Sequence, residues 1–143
     1  KKIVTANINN KSTVIIDSTP HNLNFKDIGI ITHELWSTKD GPGSFNNSEV
    51  ADKFLGVPPP ANGTTFRIVE FLPNDSKKRL MHKTNSLDYA VVLNGDITLL
   101  LDDKEVNLSA GDCVIQQGTN HAWINKTNEI TSVAFILIDK YEV

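Results

Sequence analysis

Cysteine is almost missing: Cys113 is the only one in 143 residues, so no disulfide can form within the chain. The fold must therefore rest on burial and backbone hydrogen bonding. No run approaches the ~18 consecutive apolar residues of a membrane-spanning helix, and Lys1-Lys2-Ile3-Val4-Thr5 lacks the apolar stretch of a secretory signal. The sequence reads as soluble and cytoplasmic. Positive charge is also scarce, with 14 Lys and Arg against 17 Asp and Glu and a formal net charge of −3. Nucleic acid and anionic membrane both demand a concentrated basic surface, so neither is expected as the main partner. The one basic block, Lys77-Lys78-Arg79, reads as a solvated loop. Helical periodicity is hard to find, and there is no internal repeat.

What the chain has instead is a series of short Val-, Ile-, Phe- and Thr-rich runs bounded by turn residues, the pattern of an all-β sandwich or barrel. Expected strands are Val14 to Ile16, Ile28 to Trp36, Thr65 to Leu72, Asp88 to Leu93, Ile97 to Leu101, Cys113 to Gln116, His121 to Ile124 and Ile130 to Ile138. Asn94-Gly95 suggests a tight hairpin whose two central residues need positive φ, and Asp102-Asp103-Lys104 a second reversal. Between Ser37 and Gly63 the pattern changes to Gly41-Pro42-Gly43 and Pro58-Pro59-Pro60, with a helical turn or two expected within Ser48 to Leu55. Proline cannot donate to a sheet, so this stretch is an excursion, either a cover for the barrel mouth or a simple connection. At this length a single domain is expected, with residues 1–64 as N-terminal strands and loop and 65–139 as the core.

Two segments carry the chemistry, Met81-His82-Lys83-Thr84-Asn85-Ser86-Leu87-Asp88 and Gly111-Asp112-Cys113-Val114-Ile115-Gln116-Gln117-Gly118-Thr119-Asn120-His121. By the period of two in an extended chain, His82 and Thr84 point one way and Lys83 the other. Asp88, Ala90 and Val92 share one face of the following strand, and His121, Trp123 and Asn125 one face of a later strand. The two segments resemble the paired motifs of the cupin superfamily. His82, Thr84, Asp88 and Gly95 fall at the first motif's positions, and Gly111, Gly118, His121 and Asn125 at the second's. Three positions depart from the pattern: Thr84 replaces a histidine, Asp88 a glutamate, and Gln116 the usual proline. The resemblance implies a cupin-type β-barrel, a jelly roll, with an N-terminal strand extension. From about Phe66 to Asp139 the chain resembles a subgroup of small single-domain cupins that are often named only for the domain or assigned to biosynthetic and catabolic gene clusters.

Under that resemblance, His82, Asp88 and His121 form a two-histidine, one-carboxylate set able to hold a divalent metal such as Fe, Zn, Mn or Ni. Thr84 is a poor ligand and contributes through water at most. The same three residues support a second reading without metal. An imidazole near pKa ~6.5 shuttles protons at neutral pH and Asp88 orients it, which suits a dehydratase, isomerase, epimerase or cyclase working beside a carbonyl. A third reading is a small-molecule-binding module without catalysis. Arg67 could clamp a substrate carboxylate with its two-pronged donors, or pair with an acid across strands. Thr84, Trp123 and Asn125 complete the expected substrate-binding set, with Trp123 and Trp36 equally suited to plain core. His33 and His21 are expected outside the site, and Cys113 reads as a small buried hydrophobe. Sheet edges that need cover, together with the resemblance, imply a homodimer.

Overall fold

Alternating apolar and polar side chains in short β-branched runs produce strands, and the computed structural model, which describes residues 1–41, 56–73 and 81–140, contains eleven. In chain order they are β1 (Lys2–Ile8), β2 (Lys11–Ser18), β3 (Asn22–Phe25), β4 (Ile30–Thr38), β5 (Thr64–Phe71), β6 (Ser86–Asn94), β7 (Asp96–Leu101), β8 (Glu105–Ser109), β9 (Cys113–Gln117), β10 (His121–Ile124) and β11 (Thr131–Asp139). A single 3-10 turn, Lys26–Ile28, is the only helical element among the described residues. Each segment expected as a strand is one, with ends shifted by a few residues. β1, β3 and β8 were not expected. β3 and β8 are short and mostly exposed sheet edges, and like β1 they lack a buried apolar stripe. The Ser48 to Leu55 turn and the Lys77-Lys78-Arg79 block lie outside the described residues.

The strands form a two-stranded sheet, β1-β2, a three-stranded sheet, β10-β7-β8, and a six-stranded sheet, β3-β4-β5-β11-β6-β9. All neighbours are antiparallel. The expected Asn94-Gly95 hairpin is not one: β6 and β7 belong to different sheets, and of the two residues only Gly95 has positive φ, +75°. Gly95 instead marks the crossing between sheets. A Cβ there would stand 2.8 Å from Thr131 Oγ1, which itself donates to Asp96 O at 2.7 Å. The tight turn with two positive φ angles is Asn9-Asn10, at 50° and 60°, joining β1 to β2. Asparagine tolerates that region through its short polar side chain. The weaker Asp102-Asp103-Lys104 reversal does join a hairpin, β7 to β8, closed by Leu101 N–H donating to Lys104 O.

The inner faces of the two larger sheets enclose the core: Val69, Phe71, Ala90, Val92, Ile97, Leu99, Leu108, Trp123 and Val133. Trp123 of β10 meets Phe135 of β11 edge to face at 5.3 Å, tying one sheet to the other. Register arranges the six-stranded sheet's inner face in rows. One runs Thr32, Val69, Val133, Val92 and is apolar but for its end. The next runs Glu34, Arg67, Phe135, Ala90, Val114, and the one beyond runs Thr65, Leu137, Asp88, Gln116. The interior therefore grades from an apolar half to a polar half, and the polar half gathers the chemistry.

Candidate functional site

β6 turns Ser86 and Asp88 inward because both occupy the face shared with Ala90 and Val92. Register then sets Gln116 of β9 directly opposite Asp88. His121 opens β10, just after a turn in which Gly118 takes φ +59°. That turn aims the Thr119 carbonyl at His121 Nδ1, 2.8 Å away. Asp88, Gln116 and His121 are 4%, 4% and 3% exposed.

These side chains form one hydrogen-bonded cluster. Ser86 Oγ lies 2.6 Å from Asp88 Oδ1 and 2.9 Å from Thr84 Oγ1, and its single proton belongs to the carboxylate, the stronger acceptor. Gln116 Nε2 donates to Asp88 Oδ2 at 3.1 Å and lies 3.1 Å from His121 Nε2. Because His121 Nδ1 carries its proton toward Thr119 O, Nε2 holds a lone pair and accepts from the amide. The amide group is thereby oriented, with both hydrogens spent and Oε1 buried without a partner. Burial holds the His121 imidazole below its ordinary pKa. The bond to Thr119 acts upward, His82 pushes further down, and the Asp88 carboxylate partly restores it.

His82 is exposed and lies against this cluster rather than inside it. Its backbone exchanges two hydrogen bonds with that of His121, both at 2.9 Å, and its exposed ring covers the His121 ring at a centroid distance of 4.4 Å. Thr84 is buried as expected, so His82 and Thr84 do not share the interior. Arg67 is buried, but its guanidinium is engaged by Glu34 at 3.3 Å and by Gly56 O at 2.9 Å. Trp123 is core. Asn125 is fully buried and its amide is saturated: Nδ2 donates to Phe71 O and Glu129 O, and Oδ1 accepts from Thr127 N–H and Oγ1. It organises the turn before β11 and keeps no donor for a ligand. His33 faces outward against Glu70 at 3.2 Å. Cys113 is exposed, not buried as the sequence suggested.

Three interior residues escaped the sequence reading: Ser86, Gln116 and Glu34. Each alternates correctly within its strand, yet only the inter-strand register brings them against Asp88, His121 and Arg67. Among the described residues, no three His, Cys, Asp or Glu side chains converge to hold a metal ion. The donor chemistry gives the reason. An ion needs its nitrogen and oxygen ligands at roughly 2.0–2.2 Å, but Asp88 Oδ2 and His121 Nε2 both point at the Gln116 NH₂ group, a donor that cannot ligate. As arranged, these residues do not fit the divalent-metal centre expected of His82, Asp88 and His121.

The family model for the cupin domain matches residues 67–138. The chain is similar to the phomopsin biosynthesis cluster protein C' of Diaporthe leptostromiformis, 39% identical over 103 residues that make up 67% of this chain and 53% of that protein. It is 30% identical over 120 residues to the cupin-domain-containing oxidoreductase srdD of Neurospora crassa, covering 79% of this chain and 60% of that one. The chain thus spans about half the length of the curated relatives it matches. Among solved structures, KdgF from Halomonas sp. superposes with a TM-score of 0.56 at 13% identity, over 84% of this chain and 87% of that one, a likeness of fold. With half of its length matched by the family model and its sheets superposing on a solved relative of the same architecture, this chain belongs to the cupin family, and its fold is the cupin double-stranded β-helix.

Proposed function

We propose that this cupin domain serves a small-molecule enzyme of biosynthetic metabolism, and that its chemistry is proton transfer beside a carbonyl, carried by His121 and Asp88 in the polar half of the barrel. The observation that carries the reading is the buried His121 ring, held as the Nδ1–H tautomer by Thr119 O with its Nε2 lone pair turned into the cluster. Burial favours the neutral imidazole, the form a general base needs before it acts. A substrate that displaces the Gln116 N–H from Nε2 meets that base, and the nearby Asp88 carboxylate stabilises the imidazolium that results. Ser86 and Gln116 hold Asp88 in place. The likeness to biosynthesis cluster proteins supports the metabolic setting. The name of the Neurospora crassa relative favours a second reading, redox chemistry on a substrate held by the same residues.

The test is solvent isotope exchange. The protein is incubated in D₂O with a panel of hydroxy ketones and keto acids, and deuterium gain beside the carbonyl is read by mass spectrometry. Wild type is expected to accelerate exchange in at least one compound, and His121→Ala to lose ~10²-fold or more of that rate. No exchange across the panel, or exchange that survives His121→Ala, would defeat the reading and leave redox chemistry or plain ligand binding. We propose in addition that the chain pairs with a second copy, a reading that the apolar outer face of the six-stranded sheet supports.

A further inference from the structure

We infer that Gln116 is a built-in stand-in for a cation, the residue that sets this barrel against divalent metals. Two candidate ligand atoms, Asp88 Oδ2 and His121 Nε2, aim at one point, and that point is filled by Gln116 Nε2 at 3.1 Å from each. The amide presents two hydrogens of partial positive charge to two lone pairs, neutralising the convergence that would otherwise draw an ion. All three side chains are almost wholly buried, so in the free protein water does not compete with the amide for either partner. Turning it over in place would set Oε1 against a carboxylate oxygen and an imidazole lone pair, three acceptors with no proton among them. This orientation leaves Oε1 buried and unpartnered, a cost set against the two N–H bonds to charged and lone-pair acceptors.

β9 explains why this residue can do so. Val114 and Gln116 share its inner face, and register sets Gln116 across from Asp88 while the turn at Gly118 brings His121 back to the same place. A side chain of this length with two hydrogens on one terminal atom bridges both partners. Glutamate, of the same shape, brings an acceptor instead and completes a set of two carboxylates and one imidazole, a donor set suited to first-row metals.

The inference rests on the metal-free reading of the same site, but the two fail separately, since isotope exchange reads the first and metal uptake the second. Chelator-treated protein is titrated with Co²⁺ and followed by visible absorption and calorimetry, for wild type, Gln116→Glu, Gln116→Ala and Gln116→Glu combined with His121→Ala. The expected result is no cobalt spectrum in wild type, affinity raised about 100-fold in Gln116→Glu and less in Gln116→Ala, and loss of the gain in the double variant. Wild type that binds Co²⁺ as tightly as Gln116→Glu, through His121, would overturn the inference, because the amide would then have turned to ligate. So would variants that melt cooperatively yet gain no affinity. The wild-type titration alone keeps the question decidable if a variant fails to fold.

Discussion

Arg67 and Glu34 face one another across the β4–β5 ladder and meet at 3.3 Å with side chains only 7% and 5% exposed. Burial pushes Glu34 up and Arg67 down from their ordinary values, and each partner's charge works against that shift, with Asp88 also supporting Arg67. A buried pair of this kind adds little net stability but is costly to halve. Glu34→Ala should therefore lose about 3–5 kcal/mol in urea unfolding, while Glu34→Leu with Arg67→Met should recover most of it. A neutral single variant would show that the charges are solvated. His121 supplies a pH dependence. Its folded pKa lies below the unfolded value of about 6.5, so stability is fully present above that value. As pH falls below it, the unfolded chain takes a proton that the folded chain refuses, and stability drops by at most about 1.4 kcal/mol per pH unit. Unfolding curves for wild type and His121→Gln between pH 7 and 5 should diverge accordingly, and parallel curves would exclude this residue as the source.

At the scale of elements, alternation was legible and sheet membership was not. Asp88, Ala90 and Val92 face inward together as the period of two requires, and His121 and Trp123 are also buried, although Ala122 between them is buried too. Whether β6 turns back on itself or passes to the other sheet depends on partners far along the chain, β11 and β9 for β6, β10 and β8 for β7. Asn94-Gly95 therefore looked like a hairpin and is a crossing. Gly95→Ala should destabilise by more than about 1 kcal/mol, because the new Cβ meets both an unfavourable φ and the Thr131 hydroxyl. A melting temperature equal to wild type would mean that the crossing relaxes freely. Asn125 gives the same lesson from a side chain: its place in the family pattern was readable, but its bonds to Phe71 O and Glu129 O exist only once β5 and the turn before β11 are packed together.

For the whole molecule, the outer face of the six-stranded sheet is the feature without a local explanation. Register lines up Trp36, Phe66, Ile136, Tyr89 and Ile115 in one row across five strands, and Phe66, Tyr89 and Ile115 stand 39%, 38% and 60% exposed. A continuous apolar row of this kind is what supports the proposed pairing with a second copy. The proposed dimer should show by light scattering as twice the 15.8 kDa mass of this chain, and Ile115→Lys should shift it toward monomer. A monomeric wild type at micromolar concentration would refute the pairing. No helix among the described residues is long and apolar enough to cross a membrane.

By itself the sequence determined the all-β class, the inward faces of the main strands and the cupin motifs, because side-chain periodicity and turn chemistry act over neighbouring residues. Only the tertiary structure decided which interior groups meet. It set Gln116 between Asp88 and His121, paired Glu34 with Arg67, and placed His82 exposed against the His121 ring. Those outcomes depend on strand register and sheet order, which bring together residues tens of positions apart, and a one-residue slip in β9 would have turned Gln116 out of the barrel and Gln117 into it.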